Sequence, residues 1–484
     1  MRWDIIIEIL IFNEKDNFME QREKFGSRLG FLLISAGCAI GLGNVYRFPI
    51  ITGAYGGALF VLIYLAFLLA LGIPVMCCEL AVGRASQRSI ASSFEVMEKP
   101  GQKWHLMKYV GIAGNYLLMM FYTVIAGWML IYFWQFLTGG AVMDHGANTA
   151  ALGGFFGDIL SKPGLLIATT AVIVVVCFAI CSLGLQKGVE RITKVMMISL
   201  FALILGLAVY AFTMEGAAEG LKFYLVPSVE PIKQGRLGEI VTAAMGQAFF
   251  TLSVGIGSIA IFGSYIDKKR SLLGEALTIT GLDTCVALCA GLIIFPAFFT
   301  FNPGGTIGVD QAGAGFLFTT LAGIFNSMGS VVGRIVGTLF FLFLMFAALS
   351  TVIAVFENIM SFWLELTSLN RRTIALINVG LLLVLTLPAI FGCNIWSGVK
   401  DVMFGKDFID MEDFVVSNVL LPLGSLVYVL FCTTRYGWGR KGFCEELNAG
   451  EGLKMPRWMT YYMTWCLPVI ITILLGYSVV NFFR

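Results

Sequence analysis

Charged residues are scarce in this sequence of 484 residues. Asp, Glu, Lys and Arg together make up 13% of it, whereas a soluble domain carries roughly a quarter. Hydrophobic residues account for 58%, and the mean hydropathy is +0.86. Such a chain would expose far too much apolar surface in water, so a lipid bilayer is its natural solvent. The net charge of +2 lacks the basic excess of a nucleic-acid-binding surface, so no nucleic-acid partner is expected.

Several patterns that carry chemistry are missing as well. Only two histidines occur, His105 and His145, and both fall in predicted loops, which argues against a histidine proton relay within the membrane. The sequence has no Gly-x-x-x-x-Gly-Lys-Ser/Thr phosphate-binding loop, so direct use of ATP is not expected. Nearly all of the eleven cysteines lie in apolar runs, which favours packing over metal binding. Because no nucleophile–base arrangement is recognisable, an enzyme is not expected.

Long apolar runs dominate what is present. A membrane-spanning helix needs about 20 apolar residues. This criterion predicts an all-α membrane protein with eleven transmembrane helices, near residues 29–50, 56–81, 109–138, 165–181, 189–213, 241–264, 274–300, 333–365, 373–392, 413–434 and 458–482. Residues 1–21 are predicted to form an N-terminal tail, and residues 22–484 a single transmembrane domain.

Basic residues predict the orientation of the chain. Most Lys and Arg residues fall in the N-terminal tail and in alternate loops, namely 83–108, 182–194, 265–273, 366–372 and 435–457. Cytoplasmic loops carry such an excess. We therefore expect a multi-pass protein of the plasma membrane, surrounded by lipid, with a cytoplasmic N-terminus and an extracellular C-terminus.

Two spans share a pattern at their middle. The first contains Gly41 and Gly43, and the sixth contains Gly255 and Gly257, each pair with polar residues nearby. Glycine weakens a helix by about 1 kcal/mol relative to alanine. One interpretation is close packing of helices through small residues. The other is a pair of interrupted helices, whose free carbonyls would bind cations and whose half-helix N-termini would attract a carboxylate.

Polar residues inside the spans favour the second interpretation. Arg47 and Asp413 lie on the outer side of their spans, where they would form either a gate over a ligand or a permanent ion pair. Asp283 is the best candidate for a cation ligand, because an unpaired carboxylate within the membrane is costly. Ser350 and Thr351 add adjacent hydroxyls in an apolar setting, and hard cations such as Na⁺ take oxygen ligands.

Longer motifs are also recognisable: Arg28-Leu-Gly-Phe, the run from Ala36 to Pro49, Gly72-Ile-Pro, Lys187-Gly-Val-Glu, Gln247-Ala-Phe-Phe-Thr-Leu-Ser, and Ala347 to Thr351. With these motifs the sequence, from about residue 22 to its end, resembles the neurotransmitter:sodium symporter family, in particular its bacterial leucine and hydrophobic-amino-acid transporters. The resemblance implies a leucine-transporter-type fold with a five-plus-five inverted repeat, in which helices 1 and 6 are unwound at mid-membrane. The first repeat would cover about 28–213, the second about 241–434, and an extra helix about 458–482.

The resemblance implies two sodium sites. The first would combine the bound substrate's carboxylate with the Ala39 carbonyl and the side chains of Asn44, Thr251 and Asp283. The second would combine the carbonyls of Gly37, Ile40 and Ala347 with the hydroxyls of Ser350 and Thr351. Because ion and substrate complete each other's coordination at the first site, their movements would be coupled.

The resemblance also implies a substrate pocket between the two breaks. The substrate carboxylate would meet the Leu42 and Gly43 amides and the Tyr122 hydroxyl. Its ammonium would face carbonyls near Ala39 and Phe250, with Ser253, and Thr251 is also assigned to the substrate site. Its side chain would touch an apolar set: Leu118, Ile125, Phe250, Ile256 and Val355, with Gly41 and Ser350 nearby. No side chain of this pocket is charged, and Gly41 stands where monoamine-carrying relatives have Asp. A neutral, hydrophobic or aromatic L-amino acid is therefore expected.

Gates and one departure complete the comparison with the family. The resemblance implies an outer gate of Arg47 with Asp413, and an inner gate of Arg22 with Glu365, supported by Phe25 and Tyr265. Relatives often have Pro in the fifth helix where this chain has Ile198. Proline eases unwinding of a helix, so the route of water to the second sodium site is expected to differ here.

Taken together, these expectations describe a sodium-coupled secondary active symporter that works by alternating access. It is expected to be chloride-independent, because Asp283 would supply the negative charge that chloride supplies in other relatives. The alternative is an amino-acid sensor on the same fold that does not transport. The sequence leaves open whether the protein is a monomer or a homodimer.

Overall fold

The computed structural model describes residues 28–302, 304, 316–401 and 406–482. Within these residues the regular structure is helical, and one isolated β-bridge joins Arg270 to Glu451. The long helices are α1 (Arg28–Ala39), α2 (Gly43–Ala54), α3 (Ala58–Ser86), α4 (Trp104–Thr138), α5 (Pro163–Ser182), α6 (Leu185–Phe212), α7 (Leu237–Thr251), α8 (Ser258–Gly263), α9 (Leu272–Phe301), α10 (Val332–Leu366), α11 (Arg371–Gly392), α12 (Phe408–Thr433) and α13 (Arg457–Val480). Shorter helices lie between them, at Ser93–Met97, Ala141–Asp144, Thr149–Leu160, Ala217–Leu225, Glu230–Lys233, Leu317–Ser327, Ser397–Asp401 and Arg440–Leu447.

Nine helices among the described residues are long and apolar enough to cross a membrane, and the bent pair α1 and α2 makes a tenth. The pair α7 and α8 occupies the predicted sixth span, 241–264, in two pieces. Counting that pair as one span would give the predicted eleven. The ends of the continuous helices lie within a few residues of the predicted ends, except that α3 and α4 each extend by about five residues at the predicted cytoplasmic side and α12 begins about five residues early.

The first break separates α1 from α2 at residues 40–42, and the two helices differ in direction by 49°. The second lies between Thr251 and Ser258, where Gly255 has φ of 105° and Gly257 has φ of 78°. These values fall in the left-handed region that glycine adopts without a steric penalty. A Cβ atom on Gly255 would also overlap the Leu421 carbonyl of α12. The glycines of the second break are thus required by backbone angle and by close contact.

Helices α4 and α10 pack along each other most extensively and lie beside both breaks. At their predicted outer ends, aromatic rings cluster around Phe318, which contacts Trp128, Tyr132 and Phe156 at ring-centroid distances of 4.9 to 5.9 Å. Helix α13 instead exposes large apolar residues, with Trp465 71% exposed. Such a surface is suited to lipid rather than to water.

The loop between α12 and α13 is fastened to other parts of the chain. The fully buried Arg84, near the end of α3, forms an ion pair with Glu446 at 2.7 Å and donates to the Arg270 carbonyl at 2.7 Å. The Ser271 amide donates to the Glu451 carbonyl at 2.9 Å. We call this group of contacts the loop clasp.

Within α12, residues Val415–Leu420 form a wide π-helical turn.

Candidate functional site

The two breaks face each other in the interior. The Ser253 hydroxyl donates to the Cys38 carbonyl at 3.1 Å, and the Gln247 side-chain amide donates to the Gly43 carbonyl at 2.7 Å. Ser253 has φ of 51°, which is unusual for a residue with a side chain. Backbone groups that a continuous helix would use internally are therefore available at the middle of the bundle.

Three of the residues predicted for the first sodium site come together. The Asn44 amide donates to Asp283 Oδ1 at 2.8 Å and to the Asp283 carbonyl at 2.9 Å. The Thr251 hydroxyl lies 3.1 Å from Asp283 Oδ2 and 3.2 Å from Oδ1. All three side chains are buried. The Asp283 carboxylate and the Thr251 hydroxyl are oxygen ligands of the kind that a hard cation prefers, whereas the Asn44 amide oxygen accepts from the Gly41 amide at 3.1 Å.

All five residues predicted for the second sodium site also come together. The Ser350 hydroxyl lies 3.2 Å from the Ile40 carbonyl and 2.9 Å from the Ala347 carbonyl. The Thr351 hydroxyl lies 3.2 Å from the Gly37 carbonyl. The donors are neutral oxygens supplied by α10 and the first break. In the described residues, no group of three or more His, Cys, Asp and Glu side chains is placed to hold a metal ion. Any cation here would depend on carbonyls and hydroxyls.

A small cavity of about 10 Å³ lies between the breaks, roughly the room for one water molecule. It is lined by Ala39, Gly41, Gly43, Leu118, Tyr122, Phe250, Ser253, Thr351 and Leu421. The Leu42 amide donates to the Tyr122 hydroxyl at 2.7 Å, so two of the three groups predicted to bind a substrate carboxylate bind each other here. Leu421 was not predicted, because nothing in the sequence shows which face of α12 meets the breaks.

A larger cavity of about 550 Å³ lies beside the first. Tyr122 and Phe250 line both cavities, and Leu42 and Ile125 also line the larger one. Ile256 and Val355 are buried, but they do not contribute to the described lining of either cavity. Arg47 and Asp413 also line the larger cavity and form an ion pair at 3.2 Å. The Arg47 guanidinium lies 4.7 Å from the centre of the Phe250 ring. Phe250 lines both cavities, so its ring lies between them, whereas the ion pair lines only the larger one.

On the opposite side of the breaks, two of the residues predicted for the inner gate have polar partners. Tyr265 donates to Glu357 at 3.4 Å and lies 3.2 Å from the Ser361 hydroxyl. Glu365 accepts from the Ser89 amide and the Ser92 hydroxyl, both at 2.7 Å. The other two, Arg22 and Phe25, lie outside the described residues.

Sequence reasoning missed the residues that support the second break. The buried Glu79 carboxylate accepts hydrogen bonds from the amides of Gly255, Ile259 (3.2 Å) and Ala260 (3.3 Å). A carboxylate at the N-terminus of α8 is stabilised by the free amides and the helix dipole. The sequence shows Glu79 as a charged residue within an apolar span, but a single sequence does not identify backbone amides as its partners.

Comparison with known proteins identifies the family of this chain. The model of the Sodium:neurotransmitter symporter family matches residues 22–151 and 148–484. An uncharacterized sodium-dependent transporter of Bacillus subtilis, YhdH, is 34% identical over 84% of this chain and 87% of its own. An uncharacterized sodium-dependent transporter of Haemophilus influenzae is 29% identical over 92% of this chain and 94% of its own.

A solved structure is also similar. The crystal structure of MhsT in complex with L-phenylalanine has a TM-score of 0.83 and 34% sequence identity, and covers 94% of this chain and 100% of MhsT. This match and the apolar helices show a multi-pass membrane protein with the leucine-transporter-type fold. Because the family model covers nearly the whole chain and a curated relative shares a third of its residues, the chain belongs to the sodium:neurotransmitter symporter family.

Proposed function

We propose that this protein is a sodium-driven symporter for a neutral amino acid. The observation that carries the proposal is the meeting of two broken helices with two groups of oxygen donors, one around Asp283 and one around Ser350 and Thr351. The α1–α2 break contributes donors to both groups. A change in the position of this break would therefore alter both groups at once, which is what coupled transport requires.

Two sodium ions are the proposed driving ligands. The group around Asp283 carries one negative charge and suits a cation that also contacts a substrate carboxylate. The group around Thr351 is neutral and suits a second, independent cation. One positive charge that moves inward gains about 2.3 kcal/mol per 100 mV. Two ions would therefore support a steep substrate gradient without ATP.

The proposed substrate is a hydrophobic or aromatic L-amino acid. The small cavity is lined by apolar, aromatic and hydroxyl-bearing residues, and its described lining contains no charged side chain. The similar structure of MhsT was solved in complex with L-phenylalanine, which is an amino acid of this class. In its described form the cavity has room for about one water molecule, so we propose that Phe250 and the Tyr122–Leu42 contact move apart when substrate enters.

Chloride independence is part of the proposal. The Asp283 carboxylate lies within hydrogen-bond distance of two predicted sodium ligands, Asn44 and Thr251. It therefore supplies a fixed negative charge next to the proposed ion, and no mobile anion is needed.

We further propose that residues 22–484 work as one transporter domain of two inverted repeats, about 28–213 and 241–434, with an additional helix at about 458–482. The N-terminal tail, 1–21, would be cytoplasmic and the C-terminus extracellular. In alternating access, the pieces that carry the breaks would rock against the uninterrupted helices.

Uptake into proteoliposomes tests the proposal. With an inward sodium gradient, we expect radiolabelled L-phenylalanine to accumulate above equilibrium. Accumulation should disappear when K⁺ replaces Na⁺ and should persist when gluconate replaces chloride. A thermal-shift screen of the twenty amino acids in Na⁺ and in K⁺ would identify the substrate, because a ligand stabilises the state that it binds.

The same preparation distinguishes transport from sensing. Sodium-dependent binding without accumulation or counterflow would support the sensor alternative. An absence of both sodium-dependent binding and uptake for every amino acid tested would refute the proposed substrate class.

A further inference from the structure

Three polar side chains are buried together in an otherwise apolar part of the bundle. Asn115 lies on α4, Ser258 begins α8, and Asn358 lies on α10, and each is at most 1% exposed. Asn115 lies about two helical turns from Tyr122 on α4, and Asn358 about two turns from Thr351 on α10. Tyr122 and Thr351 are predicted substrate and sodium residues. The predicted sodium sites and gates do not use Asn115, Ser258 or Asn358.

Asn115 uses its full hydrogen-bonding capacity, which for an amide side chain is two donated bonds and two lone pairs. Its Nδ2 donates to the Gly111 carbonyl at 2.7 Å and to the Ile256 carbonyl at 3.0 Å. Its Oδ1 accepts from the Ser258 hydroxyl at 3.2 Å and from Asn358 Nδ2 at 3.0 Å. One side chain therefore binds both residues that flank Gly257 and connects them to α10.

The Ile256 carbonyl depends on this contact. It lies in the break before α8, where continuous helical hydrogen bonding is interrupted, and an unpaired buried carbonyl is costly. Two glycines on α4 allow the approach. A Cβ on Gly114 would come within 2.6 Å of the Ile256 side chain, and a Cβ on Gly111 would come within 3.2 Å of the Ile256 carbonyl oxygen.

The break is thus held from two sides. Glu79 of α3 binds amides of Gly255, Ile259 and Ala260, while Asn115 of α4 binds the carbonyl of Ile256 and the hydroxyl of Ser258. Helices α4 and α10 are continuous, in contrast to the pairs α1–α2 and α7–α8. The bonds of Asn115 therefore join an interrupted helix to uninterrupted neighbours.

We propose that Asn115 is a positioning residue that holds the start of α8 against α4 and α10, and that its bonds to Ile256 and Ser258 must open when α8 moves during transport. This rests on the proposed function, in which the interrupted helices rock against the others. One hydrogen bond of this network is not made: Asn358 Oδ1 is buried and has no hydrogen-bond partner among the described residues. A network that is one bond short loses less when it separates than a fully satisfied one.

Hydrogen–deuterium exchange of the full chain in Na⁺ tests the proposal, with residues 256–265 as the reporting segment. The variants are Asn115→Leu, which removes all four bonds, and Ser258→Ala, which removes one. The matched control is Thr123→Val, a buried threonine on α4 whose hydroxyl donates only within its own helix, to Met119, at 2.8 Å. We expect exchange in the reporting segment to rise about fivefold in Ser258→Ala and further in Asn115→Leu, with no change in the control.

Sodium-dependent substrate affinity provides the second readout. It should fall in the order control, Ser258→Ala, Asn115→Leu, because a released α8 no longer holds the second break against the first. A purely structural role would lower the unfolding temperature without selective exchange at 256–265. The proposal is wrong if folded Ser258→Ala exchanges like the wild type, or if the control accelerates equally. If Asn115→Leu does not fold, Ser258→Ala decides by the same criteria.

Failure of the proposed function gives a different result. If the wild type binds no amino acid in Na⁺, the affinity readout has no signal and the proposed function fails. The exchange comparison needs no substrate, and it still decides whether Asn115 holds α8.

Discussion

Asp283 carries the only formal charge in the cluster with Asn44 and Thr251, and it is fully buried. At the residue scale it is therefore the strongest test of the first sodium site. Replacement with Asn keeps the shape and removes the charge. Two unit charges 4 Å apart attract by about 4 kcal/mol at an effective dielectric constant of 20.

We accordingly expect Asp283→Asn to raise the sodium concentration for half-maximal uptake at least about tenfold. This change corresponds to the loss of only part of the attraction between the two charges. Sodium titration of uptake measures the change. Asp158→Asn serves as control, because Asp158 is exposed, lies on the short helix Thr149–Leu160 and pairs with Lys162. Equal sodium dependence in the two variants would exclude Asp283 from the site.

The second site is tested by removing one oxygen. The Thr351 hydroxyl lies near the Gly37, Cys38 and Ile40 carbonyls, at 3.2 to 3.4 Å. Thr351→Val preserves the shape, so we expect a loss of sodium affinity of about five- to twentyfold with little change in folding. Thr123→Val, which also removes a buried hydroxyl, should leave sodium affinity unchanged. If both variants lose affinity equally, the effect is general destabilisation and not loss of an ion ligand.

At the element scale, the second break depends on glycine. Gly255→Ala would place a Cβ atom against the Leu421 carbonyl at a φ of 105°. We expect its free energy of unfolding to fall by at least about 2 kcal/mol, because backbone strain and steric overlap add. Gly206→Ala on α6 meets open space, and alanine favours a helix by about 1 kcal/mol there. Thermal unfolding of the two purified variants gives the comparison, and equal unfolding temperatures would contradict it.

The positions of the helices and breaks could be predicted because the signals are local. Apolar length marks a span, and glycine beside polar residues marks a weak point within it, as at Gly41 and Gly255. Residue partners across the bundle could not be predicted from one sequence. Which amides meet Glu79, and which carbonyl meets Asn115, depends on how each helix is rotated about its axis. The motifs of the family placed Asp283 beside Asn44, but hydropathy alone did not.

The same limit applies to the predicted pocket. Tyr122 and Phe250 line both cavities, whereas Ile256 packs against Gly114 on the far side of the break. Helical spacing would place Ile256 on one face of the sixth span, but this residue lies within the break, where helical spacing does not apply. A residue within an interruption is therefore the least predictable member of a pocket.

At the scale of the whole molecule, Arg47 and Asp413 connect the first interrupted helix to α12. Their side chains are 17% and 29% exposed, and such partly exposed pairs usually contribute less than about 1 kcal/mol. If the pair is a gate, its coupling energy should increase when substrate is bound beneath it. If it is permanent, the energy should not depend on substrate.

A double-mutant cycle of Arg47→Gln and Asp413→Asn distinguishes these two interpretations. We expect the coupling free energy from thermal unfolding to be larger by about 1 kcal/mol in Na⁺ with saturating amino acid than in Na⁺ alone. The same value under both conditions would establish a permanent ion pair instead.

The loop clasp links regions that are distant along the chain. The Arg84–Glu446 ion pair and the Arg270–Glu451 bridge attach the segment that follows α12 to α3 and to the connection after α8. The beginning of α12 is attached to α2 through the Arg47–Asp413 ion pair. Displacement of α8 would therefore pull on α12 from one end while Arg47 restrains the other. The π-helical turn at Val415–Leu420 interrupts the regular hydrogen bonding of α12, so we expect the helix to bend there. A bend at this turn would let the two ends of α12 move separately.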